Sequence, residues 1–171
     1  MAISSGSSPT VSATWAAALS GDRVLEPLFR LAAQLRSARK RLPGRAGRFV
    51  YSNGGHNPPL WIGAGGRVFE LSEGGPLLGF MENVNYGQTS LTLGPGDLIV
   101  LYTDGVTEAV NSGGEQFGAE RLTAWAARQA GRSPEEVQKC LIEAVDDFSG
   151  ARPQADDLAV LVVRFTGRNL S

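Results

Sequence analysis

Hydrophobic and polar positions follow two rhythms along this chain, and the change falls near Gly47. Before it the sequence is rich in Ala, Arg and Ser and shows no strand period. Leu25, Leu28, Leu31, Ala32 and Leu35 recur at intervals of about three and four, as on one face of an amphipathic helix. Much of residues 12–42 therefore reads as helical, with Pro27 opening a fresh helix and Pro43 and Gly44 stopping it. Residues 1–11 have too little to bury and read as disordered.

After Gly47 short apolar runs are separated by tight turns. Residues 48–52, 59–62 and 67–71 read as strands, the last two joined into a hairpin by Gly63-Ala64-Gly65-Gly66. Residues 90–93 alternate as a half-exposed strand does, and Gly94-Pro95-Gly96-Asp97 is a turn. Residues 98–102 are continuously apolar and predict a buried strand. Residues 119–130 predict a helix with Leu122, Trp125 and Ala126 on one face, stopped at Gly131. A second helix opens at Ser133, with Pro134 at its first position and Glu136 closing a capping box. Val137, Leu141, Ala144, Val145 and Phe148 form its buried stripe, and Gly150 stops it. Residues 158–165, apolar on both faces, predict a central strand.

Length and charge narrow the picture. The chain's 171 residues suit one domain. Sixteen basic and 17 acidic residues leave a formal charge of -1, with no global pull toward nucleic acid or an anionic membrane. The basic residues of 30–48 (Arg30, Arg36, Arg39, Lys40, Arg41, Arg45 and Arg48) lack interleaved aromatics and read as a solvated face. Cys140 is the single cysteine, so no intrachain disulfide forms. It lies within a helix, where a packing role is expected of it. No apolar run is long enough to span a bilayer, and residues 1–10 lack the order of a signal peptide, so a cytoplasmic setting is expected.

The residues that could do chemistry are few. Asp104 follows the buried strand 98–102 at one remove and precedes Gly105; Asp156 and Asp157 directly precede the strand 158–165. If the two strands are antiparallel neighbours, these carboxylates meet at one end of the sheet. Clustered carboxylates need a cation, and hard oxygen ligands suit Mg²⁺ or Mn²⁺. The alternative is an ordinary Asp-Gly turn and a solvated strand cap. His56, the one histidine, sits in a dense turn, where its ring is expected to hydrogen-bond the backbone; with no second histidine or nearby cysteine, a His-type metal site has no partners. No GxxxxGK phosphate loop or GxSxG nucleophile turn is present.

The run Tyr51-Ser52-Asn53-Gly54-Gly55-His56-Asn57-Pro58-Pro59 resembles the Y-x-N-A-G-H-N-P-P signature of the bacterial sporulation-type and stress-response serine phosphatases, a branch of the metal-dependent PPM (protein phosphatase 2C-like) superfamily. Gly75-Pro76-Leu77-Leu78-Gly79 resembles its G-x-P-L-G segment, with Leu77 where Pro is usual. Gly96-Asp97, the run from Leu101 to Ala109 with Thr103-Asp104-Gly105 at its heart, Phe117-Gly118 and the closing Asp156-Asp157 follow in the family's order. In the closing motif Ala159 stands where Thr is usual.

The resemblance implies an α+β fold: part of a PPM-type β-sandwich with flanking helices over residues 48–166, an atypical Arg-rich segment over 1–47, disordered then helical, and a tail over 167–171. It implies metal-ligand roles for Asp104 and Asp156, with Gly105 and Asp157 supporting, and a structural turn of Gly55, His56, Asn57 and Pro58. It further implies two Mn²⁺ or Mg²⁺ ions that activate water toward a phosphoserine or phosphothreonine. The substrate implied is a phosphorylated regulatory protein of the anti-anti-sigma type.

One motif is missing. The family's earlier G-D-x-x-G-K-G or G-D-x-x-G-H-G segment supplies an aspartate that bridges both ions, and residues 1–47 offer only Gly21-Asp22-Arg23. One weakly held ion, impaired catalysis and a sandwich short of strands are therefore expected. The alternative is a non-catalytic module of the same ancestry that binds a phosphoprotein or acts as a scaffold.

Overall fold

The computed structural model describes residues 11–19, 46–81, 83–150 and 158–168. In chain order the elements are β1 (Val11–Leu19), β2 (Gly47–Tyr51), β3 (Asn53–Gly54), β4 (Leu60–Ile62), β5 (Val68–Glu70), β6 (Gly74–Gly75), β7 (Thr89–Leu93) and β8 (Leu98–Tyr102). Helices α1 (Asp104–Thr107), α2 (Gly118–Ala126) and α3 (Pro134–Ser149) follow, and then β9 (Ala159–Arg168). Five strands form the main sheet in the order β1-β9-β8-β4-β5. Each neighbouring pair is antiparallel. A ribbon of β2 and β7 and a short parallel pairing of β3 with β6 complete the strands.

The apolar run 98–102 becomes β8, buried at every position. Successive side chains of a strand point to opposite faces, and β8 serves two cores. Leu98, Val100 and Tyr102 pack with Leu60, Ile62, Val160 and Val162 against Leu122 of α2 and Val137, Leu141 and Val145 of α3. Ile99 and Leu101 pack with Phe165 against Phe49, Tyr51 and Leu93 of the ribbon. Each fully buried Leu, Ile or Val removes enough apolar surface from water to stabilise the fold by about 1.5–3 kcal/mol before entropy is charged. The helix-covered face is completely closed at its centre, whereas Trp61, Leu91 and Leu161 on the ribbon face stay half-buried. Phe69, Leu77, Leu78, Phe80 and Met81 are exposed outright.

The expected hairpin forms: β4 and β5 pair across the Gly63–Gly66 turn, closed by hydrogen bonds from Gly63 N to Arg67 O and from Gly66 N to Gly63 O, both 2.8 Å. Helix α3 starts as its cap signals require. Ser133 Oγ accepts from Glu136 N at 3.2 Å, and Glu136 Oε2 accepts from Ser133 N at 2.8 Å. These bonds from the Ser133 backbone and side chain hold the Glu136 carboxyl below its ordinary range.

Three expectations are corrected. Residues 11–19, expected to be disordered and then helical, form a strand whose partner is β9. β9 is the reason: it needs a backbone partner on its free side, and that ladder outweighs the helical preference of the alanines. The rest of the expected N-terminal helix, with Leu25 to Leu35, lies outside the described residues. The tail begins later than residue 167, because β9 extends to Arg168. Helix α2 ends at Ala126, four residues before Ala130; the chain tightens there, with Gln129 N donating to Ala126 O at 3.0 Å.

Candidate metal centre

The register of the main sheet decides what lies together. Tyr102 pairs with Val160 and Leu60 with Val100, so the C-terminal end of β8, the N-terminal end of β9 and the N-terminal end of β4 share one end of the sheet. Asp104 leaves β8 at that end, and the Gly55-His56-Asn57-Pro58 turn enters β4 there. Asp156 and Asp157, two and one positions before Leu158, lie outside the described residues.

Asp104 is the first residue of α1 and is exposed. Its Oδ1 accepts from Gly105 N at 3.1 Å, and its carbonyl accepts from Glu108 N at 2.8 Å. The carboxylate is thus oriented by its own turn yet open to solvent, and its hard oxygens fit Mg²⁺ or Mn²⁺. Beside it, Gly105 and Val106 are buried and anchor α1 on the core. Among the described residues, no group of three or more His, Cys, Asp or Glu side chains could hold a metal ion.

The turn is held by the buried Asn53 side chain. Asn53 Oδ1 accepts from His56 N at 2.8 Å, and Asn53 Nδ2 donates to His56 O at 2.9 Å. His56 Nδ1 donates to Asn57 O at 2.9 Å, which requires the proton on Nδ1. Gly55 has φ +82°, and a Cβ there would run into the Leu77 backbone nitrogen. A Cβ on Gly74 would run into Asn53 O, so the β3–β6 crossing demands glycine at both places.

Tyr102 ends β8 just before this site. Burial, and then the negative charge of Glu70, push its phenol up from 10.0 to about 12. Downstream, Arg121 braces the loop that follows α1. It donates to Gln116 O at 2.6 Å, and its guanidinium lies 4.9 Å from the Phe148 ring centre. At the opposite end of β8, Asp97 is buried and accepts from Trp61 Nε1 at 3.1 Å, Ala64 N at 2.9 Å and Gly94 N at 2.8 Å. Sequence reading saw a turn there and missed the staple; an acid between a Gly-rich turn and a buried strand was the available signal.

The two-faced sheet, with helices on one side and a smaller ribbon on the other and the exposed Asp104 at a strand end, resembles the fold of PP2C phosphatase domains. The SiaA-PP2C domain of Pseudomonas aeruginosa superposes with a TM-score of 0.59 at 22% identity, covering 69% of this chain and 46% of that one. Residues 41–166 match the family model described as Stage II sporulation protein E, and the chain belongs to that family. It is 31% identical over 117 residues to Protein IcfG of Synechocystis sp., across 68% of this chain and 18% of that protein. It is 35% identical over 68 residues to Phosphoserine phosphatase RsbU of Bacillus subtilis, across 39% of this chain and 20% of that protein. The chain thus spans about a fifth of the length of these two relatives.

Proposed function

We propose that the chain is a metal-dependent protein serine/threonine phosphatase module in which Asp104 and Asp156 hold one Mn²⁺ or Mg²⁺ ion, with Gly105 and Asp157 in support. The observation that carries this reading is the antiparallel register of β8 and β9, with an exposed Asp104 at the end where β9 begins. Family membership and the phosphoserine phosphatase named among its relatives support the reaction class. When bound, the ion supplies positive charge for the phosphoryl oxygens and lowers the pKa of water. Asp104 contributes hard oxygens whose direction is set by the Gly105 N–H, and α1 holds that carboxylate to the core through Val106.

The substrate is a phosphorylated regulatory protein of the anti-anti-sigma kind, in a cytoplasmic setting that suits a chain with one cysteine. Among the described residues no helix is long and apolar enough to cross a membrane. Because residues 1–47 offer no Gly-Asp-x-x-Gly-Lys-Gly segment, the site holds one ion weakly and turnover by this chain is impaired.

Calorimetric titration of Mn²⁺ into the chain and into the Asp104→Ala, Asp156→Ala double variant tests the site. Weak binding that the double variant loses is expected. A folded chain that binds no Mn²⁺ overturns the site, and ready Mn²⁺-dependent turnover of a phosphoserine protein overturns the impairment.

A further inference from the structure

The β8–β9 ladder does not stop where the strands stop. Thr103 N still donates to Ala159 O at 3.1 Å. An antiparallel pair of this kind normally returns a second bond, from Ala159 N to Thr103 O. Here Thr103 O has turned away to accept from Val106 N at 3.1 Å and so starts α1. Ala159 N would be orphaned in a buried place, at a cost of about 1–3 kcal/mol. The Thr103 side chain takes the bond instead: Ala159 N donates to Thr103 Oγ1 at 2.9 Å.

A threonine in this position ordinarily spends its hydroxyl on its own helix. Thr103 is the N-cap of α1, and an N-cap hydroxyl usually accepts from an N–H two or three residues on. No side-chain cap bond of that kind is made. The residue is 7% exposed, so the bond to β9 is shielded from water. Ala159 brings no polar side chain to the contact.

We propose that Thr103 is a positioning residue for the metal site. Its hydroxyl lets the backbone leave β8 and turn at once into α1, while the start of β9 stays locked to the same point. Asp104 is the next residue after this clasp, and Asp156 lies three residues before Ala159 in the chain. The clasp therefore fixes the point at which Asp104 leaves β8 relative to the start of β9. This rests on the metal reading above.

The test compares the unaltered chain with Thr103→Val, Thr103→Ala and Thr103→Ser. Amide hydrogen exchange at Ala159 is followed by NMR, and Mn²⁺ affinity by calorimetry. In the unaltered chain, Ala159 N–H is expected to be protected like that of Val162. In the Val and Ala variants its exchange rises about tenfold, while that of Val162 is unchanged. Mn²⁺ affinity falls about 10- to 100-fold, as for other residues that orient a metal ligand. Thr103→Ser restores both. An unprotected Ala159 in the unaltered chain, or equal exchange in all variants, overturns the clasp. Faster exchange with unchanged Mn²⁺ affinity overturns the positioning role. If the unaltered chain binds no Mn²⁺, the metal reading falls and the positioning role with it, while the exchange data still decide the clasp.

Discussion

Asp97 and Asp104 flank the same strand, and the protein treats them in opposite ways. Asp97, at the entry to β8, is 6% exposed and accepts from the Trp61 indole of β4 and from one backbone N–H in each of two neighbouring turns. Asp104, beyond its exit, is exposed and accepts from the N–H of the residue after it. A carboxylate saturated by protein donors has no capacity left for a ligand, and its removal leaves those donors unpaired. One that faces water costs little to change and keeps oxygens for a cation. The comparison separates an aspartate that holds turns together from one that can bind.

The comparison can be broken at either aspartate. Asp97→Ala leaves a half-buried indole N–H and two backbone N–H groups without their acceptor, and is expected to cost about 3 kcal/mol in urea denaturation. A loss below about 1 kcal/mol would show that Asp97 is no staple. Gly55→Ala tests the rigid turn at the other end. With φ +82° and the Leu77 backbone in the way, it is expected to cost about 2 kcal/mol by the same assay. Asp104→Ala is expected to shift stability by less than about 0.5 kcal/mol while abolishing Mn²⁺ binding in calorimetry. If it destabilises as much as Asp97→Ala, the contrast is lost.

A pH dependence is expected at the exit of β8. Folded Tyr102 ionises near 12, against 10.0 when unfolded. Below about pH 10 both states carry the proton and the stability is fully present. Between about pH 10 and 12 the unfolded state releases it first, so stability falls as pH rises. Tyr102→Phe, followed by denaturant midpoints across that range, is expected to flatten this part of the curve.

Where local pattern and final packing agree, the sequence was readable. The capping box at Ser133 and Glu136 rests on neighbours in the chain, and so does the hairpin turn at 63–66. The buried run 98–102 showed itself because β8 is apolar on both faces, which a sheet between two cores requires. The antiparallel meeting of β8 and β9 was legible as a condition on Asp104, and the register meets that condition. What escaped depends on distant partners. β1 forms because β9 lacks a neighbour, although Val11, Ala13, Trp15, Ala17 and Leu19 do alternate with other residues in a strand-like way. The two-residue β3 and β6 exist because Asn53 and Gly74 meet across the fold. The role of Thr103 depends on a hydrogen bond to a residue 56 positions away, which no local window contains.

The place of β9 in the sheet order has a consequence for how the chain is made. A ribosome releases β4, β5 and β8 well before β9, and these three can pair among themselves as they emerge. Among the described strands β1 emerges before the others and waits longest, because its partner β9 is the last of them. Until β9 inserts, both β1 and the inner edge of β8 present unpaired backbone, the condition under which strands pair with the wrong neighbour. Any delay before β9 is made therefore leaves two sticky edges facing each other with nothing between them.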